Sequence, residues 1–462
     1  MVHPSNASRR RFLSAAARTA GAAIALGIGS PFSSNLFAEP PSFFDQPSVD
    51  DWLRTWDAAI AVLAGNLRTA PGYDKPLLFE GSTYQGIWLE CGPQEGLVYA
   101  TLADLIPLAT GSAGASQSSF GQPTPIQAAV NNHMAFFRLQ RPDGQLPASI
   151  KTTENGFGQI QMVVPIAATA LELFHITHDD AFLSVAYSAC SRWDLWLRQY
   201  RDTRKTGLVE GFCTYDTGHD NSPRWSGIPN RCPDADARKC PPIASMPRLC
   251  PDLSATVYGG RVALAQMAKA LGKPAEADRW HNDAETIRQL ILDKLYSPED
   301  AAFYDLDAQN KFVRVRSDVI SRVLGEHVLN MADKRDKAIF QSVWQRQLYN
   351  PAAFWALYPF PSIALDDPTF VRPIPRNSWG GASQALTALR APRWMTHYGK
   401  TAELRQLMRQ WCFAIAHSDD FRQQMDPLTG EFTLADPGGY SPTALVFLSF
   451  ARELGFERHA NS

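Results

Sequence analysis

The sequence has no excess of charge of either sign: 44 Lys+Arg stand against 46 Asp+Glu, a net charge of −2 over 462 residues. Such a balance offers no basic face to a phosphate backbone, and no nucleic-acid partner is expected. Long hydrophobic runs are missing too. The one sustained apolar stretch, Ala20 to Ile28, is rich in Ala and Gly and far shorter than the ~20 residues that cross a bilayer, so no stable membrane span is expected. The histidines are scattered without an HExxH pattern and the cysteines are not spaced as CxxC pairs, which argues against a metal site. No Gly-rich phosphate loop, dinucleotide fingerprint or nucleophile elbow occurs, so no cofactor is expected. Also absent are runs of alternating strand pattern, a linker between Asp50 and Gly455, and a fixed repeat period. These absences count against a sheet-based fold, a chain of several domains and a helical-repeat scaffold, respectively.

What is there begins with Ser8-Arg9-Arg10-Arg11-Phe12-Leu13-Ser14 ahead of the short apolar stretch. Paired arginines followed by Phe-Leu match a twin-arginine export signal, so residues 1–38 are expected to be a signal peptide read by the twin-arginine export machinery. The protein is then periplasmic or secreted. Cleavage is expected near Ala38, with Leu36 a poor fit to the small residue wanted three positions earlier. Losing these residues removes four arginines and no acidic residue, leaving 40 Lys+Arg against 46 Asp+Glu. Residues 39–462 are expected to form one domain with a Cys/Pro-rich insert around 230–251. The seven cysteines are an odd number, so at least one is unpaired within the chain. In an oxidising compartment, one or two disulfides pinning the insert are preferred over zinc.

Apolar residues recur at helical spacing in Ile126 to Leu139, Val163 to Ile176, Ala181 to Tyr200, Leu253 to Leu271, Ala275 to Leu295, Ser383 to Tyr398, Ala402 to Ala416 and Pro442 to Leu454. Between them lie loops dense in Gly, Pro, Asp and aromatics: Gly81 to Gly96, Arg141 to Gly158, Val209 to Pro229, Pro359 to Gly381 and Asp420 to Tyr440. Long helices separated by such loops predict an all-α toroid with its functional loops at one end. Aromatic residues make up 11% of the chain, with 12 Trp, compatible with a large core or with a cleft whose aromatic faces stack on sugar rings.

The densest concentration of chemistry is Tyr215-Asp216-Thr217-Gly218-His219-Asp220-Asn221-Ser222-Pro223-Arg224-Trp225. Two carboxylates, an imidazole, a guanidinium and an indole share one loop. It resembles the Glu-Ser-Gly-Trp-Asp-Asn-Ser-Pro-Arg-Trp stretch of trehalases, family 63 glucosidases and mannosylglycerate hydrolases, with Asp216 in place of the leading Glu and His219 in place of the first Trp. Weaker likenesses follow in the family's order. Gly86-Ile87-Trp88-Leu89-Glu90 resembles its Trp-Leu-Trp-Asp loop and Asp143-Gly144-Gln145-Leu146-Pro147 its Asn-Gly-Met-Ile-Pro turn. Gln159-Ile160-Gln161 is similar to its Gln-Pro-Pro, Asp252-Leu253-Ser254-Ala255 to its Asp-Leu-Asn-Ala, and Pro375 to Gly381 to its Tyr-Trp-Arg-Gly-Pro-Val-Trp segment. The resemblance implies an (α/α)6 toroid, or six-hairpin barrel, acting as a glycoside hydrolase on an α-linked carbohydrate without cofactor. It implies Asp220 as general acid, with Trp88, Gln161, Asp216, His219, Asn221, Arg224, Trp225, Trp379 and Gln423 in the substrate cleft.

An acid must still hold its proton at working pH, which partial burial beside Trp225 favours and a guanidinium aimed at Asp220 opposes, so Arg224 is required to face elsewhere. The family's base is a Glu in Glu-x-Tyr-Asp-Pro-x-Thr-Gly, and here Gln423 opens Gln423-Gln424-Met425-Asp426-Pro427-Leu428-Thr429-Gly430. An amide can orient water but does not take its proton. Three routes stay open: Asp426 or Glu431 reaches the site, Glu90 or Glu95 supplies the base, or the chain does not hydrolyse by this mechanism. Rival readings are a lyase or epimerase using His219 near Tyr215, and a sugar-binding protein without turnover.

Overall fold

The computed structural model describes residues 46–106, 122–375, 377–418, 420–433 and 437–456. All fall within one unit, Ser42–Ser462. The expected signal peptide, residues 1–38, lies outside the described residues, and none of the described helices is long and apolar enough to cross a membrane.

Twelve α-helices form in chain order among the described residues: α1 Val49–Gly65, α2 Gly92–Thr101, α3 Pro125–Arg138, α4 Ile166–Thr177, α5 Asp180–Tyr200, α6 Pro251–Ala270, α7 Pro274–Lys294, α8 Val319–Gly325, α9 Lys334–Val343, α10 Ala385–His397, α11 Thr401–Ser418 and α12 Ser441–Glu453. Their starts follow local chemistry. Ser48 and Thr124 each close a capping box, with Asp51 and Gln127, while Asp179 and Asp333 accept backbone N–H groups at the starts of α5 and α9. Proline occupies the first turn of α2, α3, α6, α7 and α12, where its missing N–H costs no bond.

The even-numbered helices are buried nearly all round and touch one another in a closed circuit, α2 to α4 to α6 to α8 to α10 to α12 and back to α2. The odd-numbered helices bury one face and leave the other wet, as an outer layer does. This is the (α/α)6 toroid. The helix expected from Val163 begins at Ile166, because Pro165 at its N-cap disfavours helical backbone in the residue before it, Val164. The inner helix α2 starts inside the stretch read as a loop to Gly96, since its first turn, Gly-Pro-Gln-Glu, carries no apolar periodicity although all four residues are buried.

Five loops converge at one end. A three-stranded sheet of Gly86–Trp88, Ser149–Lys151 and Asn155–Gly156 joins the first two, pairing Trp88 with Ser149. A two-stranded ladder, Ser383–Gln384 with Gln424–Met425, fixes Gln423 against the start of α10. The Cys/Pro-rich insert is not bridged: all seven cysteines are free thiols. The expected disulfides are not formed, although two of the cysteines lie close to one another. Cys232 Sγ lies 3.6 Å from Cys213 Sγ and from Arg201, whereas Cys250 packs beneath Gly211 and Trp225.

An ion network, buried at Arg261 and Asp194 and partly exposed at Arg198 and Asp283, ties α5, α6 and α7: Arg261 Nε donates to Asp194 Oδ1 at 2.7 Å, Arg261 Nη1 to the Asp283 carbonyl at 3.2 Å, and Arg198 Nη2 to Asp283 Oδ2 at 2.7 Å. Removing one partner of a buried pair strands the other charge. Asp194→Ala is therefore expected to lower unfolding free energy by about 3–5 kcal/mol, read as a fall in denaturation midpoint without a change in the slope.

Candidate active site

The converging loops form a cleft whose lining includes Glu80, Tyr84, Trp88, Glu90, Lys151, Gln161, Tyr215, Asp220, Arg231, Asn377, Trp379 and Gln423. Of the residues expected from sequence, Trp88, Glu90, Gln161, Asp220, Trp379 and Gln423 are brought together there. The others go elsewhere, each for a visible reason.

Asp216 is fully buried behind the cleft. It accepts backbone N–H groups of Ile160, Phe212 and Cys213 at 2.9, 2.7 and 3.2 Å and pairs with the buried Arg201, so every lone pair is spoken for within the loop. Arg224 is clamped between two carboxylates, donating to Asp252 at 2.7 and 2.7 Å and to Asp305 at 2.8 and 2.6 Å. It thus faces away from Asp220, as an acid role there requires, and does not reach a substrate. Trp225 is buried beside Arg224 and gives its indole N–H to Thr217 Oγ1 at 2.9 Å, so it is core and not a sugar platform.

His219 is likewise enclosed. Its Nδ1 accepts from Arg224 Nη1 at 3.0 Å, which leaves Nε2–H to donate to Asp318 Oδ1 at 2.6 Å. Burial, with the nearby Arg322, pushes its pKa down to about 4. A neutral, locked imidazole below the cleft does not abstract a substrate proton; it packs edge-on to Trp379 with ring centroids 5.3 Å apart and holds that indole in place. Arg322 supports the same ring, its guanidinium carbon 4.9 Å from the ring centroid. Asn221, in the left-handed region at φ 59°, donates to the Asn377 carbonyl at 2.8 Å and fastens two loops. Glu95 is buried beneath the cleft floor against Cys91, with no hydrogen-bond partner for either carboxylate oxygen. Asp426 accepts the Leu428 N–H at 2.8 Å and pairs with Arg372 at 3.3 Å, a turn residue outside the cleft, and Glu431 is exposed.

Asp220 has the environment of a proton donor. Burial, and then the charge of Glu90, raise its pKa to about 7, with one opposing contact: Asn377 Nδ2 donates to its Oδ2 at 2.7 Å. Glu90 packs so tightly on the Asp220 loop that a Cβ on Gly218 would lie 1.5 Å from its Oε2, and Gly218 sits at φ 62°; glycine meets both demands. From Asn377 a chain of contacts continues. Gln423 Nε2 donates to Asn377 Oδ1 at 2.9 Å, and Tyr84 OH donates to Gln423 Oε1 at 3.0 Å.

Sequence reasoning passed over Glu80, Tyr84, Asn377 and Tyr440. Glu80 is 4% exposed, lines the cleft and accepts from Tyr440 OH at 2.6 Å. Its signal was an acidic residue directly after the apolar Leu77-Leu78-Phe79, which places a carboxylate where burial is expected. Three buried clusters bring ligand atoms within 4.8 Å of one another: Cys213/Asp216/Cys232, Cys250/Asp252/Asp305 and Glu80/Cys91/Glu95. In the first two, Arg201 and Arg224 already supply the positive charge a metal ion would bring.

The sequence model of the mannosylglycerate hydrolase MGH1-like glycoside hydrolase domain matches residues 126–442. A search of curated proteins finds no sequence match. Among solved structures, the family 63 mannosylglycerate hydrolase of Thermus thermophilus in complex with Tris aligns with a TM-score of 0.62 at 18% identity, over 86% of this chain and 100% of that one. The same enzyme in complex with Tris and D-glycerate gives 0.63 at 17% identity over 86% and 100%. The neutral trehalase of Saccharomyces cerevisiae gives 0.59 at 13% identity over 82% and 73%. At these identities the structures speak for the shared fold, and the domain match, covering well over half of the sequence, carries the assignment: the chain belongs to the MGH1-like glycoside hydrolase family and is a glycoside hydrolase of the (α/α)6 type.

Proposed function

We propose that the protein is an exported hydrolase of an α-linked glycoside and that Asp220 is its general acid, working by inversion of the anomeric centre. The observation that carries this reading is a cleft carboxyl that keeps its proton to about pH 7, with the neighbouring cation, Arg224, turned away from it. Trp88 and Trp379 offer faces for sugar rings, and Gln161 and Asn377 offer amides for hydroxyls. Export rests on the twin-arginine pattern at Arg9-Arg10 and on the apolar stretch behind it.

The substrate we favour is a sugar joined to a small anionic aglycone. Glu80, Glu90 and Asp220 make part of the cleft acidic, whereas Lys151 and Arg231 also line it, and Arg231 is exposed. An anionic leaving group fits beside those cations and away from the carboxylates. The D-glycerate in the complex of the Thermus relative is of the same chemical kind.

Three outcomes test the proposal. Asp220→Asn is expected to lower kcat on unactivated α-glycosides by roughly 10²–10⁴-fold, the usual contribution of a positioned acid, and to spare glycosyl fluorides, whose leaving group needs no proton. Unchanged turnover of a glycosyl glycerate by this variant would sink the assignment, and absence of turnover by the wild type across a broad panel would favour sugar binding alone. Because the acid acts in its protonated form, kcat/KM should fall as pH rises through about 7. Arg231→Ala should raise KM for a glycosyl glycerate several-fold and leave KM for a neutral disaccharide unchanged; equal effects on both would remove the case for an anionic aglycone.

A further inference from the structure

The position that should hold the base is taken by Gln423, both ends of whose amide are engaged, by Asn377 and by Tyr84. Two carboxylates besides Asp220 line the cleft, and the chain holds them on different walls. Glu90 belongs to the acid's wall: it packs on Gly218, two residues from Asp220, and its backbone carbonyl accepts from Arg390 Nη2 at 3.2 Å. Its Oε2 is buried without a hydrogen-bond partner. Glu80 belongs to the wall that carries Gln423. Its carbonyl accepts the Ser441 N–H at 2.8 Å and its Oε1 accepts the Tyr440 hydroxyl at 2.6 Å, while Tyr440 N–H reaches the Phe421 carbonyl at 3.0 Å, two residues before Gln423. Tyr84 joins the group, bonding Gln423 through its hydroxyl and packing on Tyr440 at 5.9 Å between centroids.

Accepting Asp220 as the acid, we propose that Glu80 is the general base, taking over from the wall beside Gln423 the role for which that amide is unfit. In the step, a water oxygen bonds to the anomeric carbon and gives a proton to Glu80. The bond to the leaving oxygen breaks as that oxygen takes the proton of Asp220. The products are the free aglycone alcohol and the sugar with inverted configuration, and proton exchange with solvent restores both carboxyls. Glu90 then serves as a positioning residue, its charge helping Asp220 to hold its proton.

Burial and the charges of Glu95, Glu90 and Asp220 push the Glu80 carboxyl well above its ordinary range, and the Tyr440 hydroxyl opposes them; the neighbouring Cys91 is a buried thiol. The base acts ionised, so activity rises with pH as Glu80 loses its proton and falls as Asp220 loses its own.

The test uses α-glucosyl and α-mannosyl fluoride, which need a base and no acid. Glu80→Gln should lose roughly 10²–10⁴-fold in kcat on the fluoride that the wild type hydrolyses, where Asp220→Asn does not. Glu80→Ala with sodium azide should regain turnover and release a glycosyl azide of inverted configuration. Glu80→Gln within threefold of wild type, or a folded Glu80→Ala that azide does not rescue, would overturn the assignment. Should both variants melt at assay temperature, Tyr440→Phe reads the same point. Loss of the hydroxyl donor should move the rising limb of the pH profile upward, and an unmoved limb counts against Glu80. Full activity of Asp220→Asn on unactivated glycosides would instead fail the acid and leave the Glu80 result standing. A wild type that hydrolyses neither fluoride overturns both readings.

Discussion

The buried clamp on Arg224 is the constraint from which the rest of the site follows. One guanidinium satisfies Asp252 at the start of α6 and Asp305 in the strand Asp305–Leu306, and also donates to His219. Three segments distant in sequence are thereby fixed to one point, because a buried cation without all its partners would cost several kcal/mol. The same clamp turns the motif's only arginine away from Asp220. Had that charge faced Asp220, the carboxyl would have been ionised at neutral pH and unable to protonate a leaving oxygen.

From that point the ions are arranged in layers. Beneath the cleft, His219 donates to Asp318, which also pairs with Arg322 at 3.0 Å, and Arg322 in turn supports Trp379 and bonds the Thr217 carbonyl at 2.6 Å. In this layer charges are matched and Asp318 is held well below the usual carboxylate range. Around the cleft the matching stops. Glu80, Glu90, Glu95 and Asp220 are crowded together and each is raised first by burial; a neighbouring carboxylate comes next for Glu80 and Asp220, whereas Arg390 opposes the rise at Glu90 and Glu95. Matched ions thus lie beneath a set of carboxyls raised by burial, and carboxyls so perturbed are the kind that cluster where protons are transferred.

Much of this was legible in the sequence. Periodic apolar residues located eight of the twelve helices to within a few residues, and the loops dense in Gly, Asp and aromatics did become the cleft. The motif around Asp220 pointed to the family. Less legible were α2, whose first turn is polar yet buried, and α8, which is only seven residues long, because inner helices of a toroid are covered on every side and need not be amphipathic. The roles of Asp216, Arg224 and Trp225 were also hidden: lying next to Asp220 in sequence, they looked like cleft residues, but a tight loop sends successive side chains to opposite sides.

What the sequence by itself determined was therefore local: helix periodicity, caps and the loop that holds Asp220. The tertiary structure alone decided which charges meet. Glu80 and Tyr440 are 360 positions apart and share a 2.6 Å hydrogen bond only because the ring of inner helices closes, bringing α12 back against α2. The proton affinity of a carboxyl depends on its burial and on every charge within a few ångströms, and those distances are set by closure of the ring and not by neighbours along the chain.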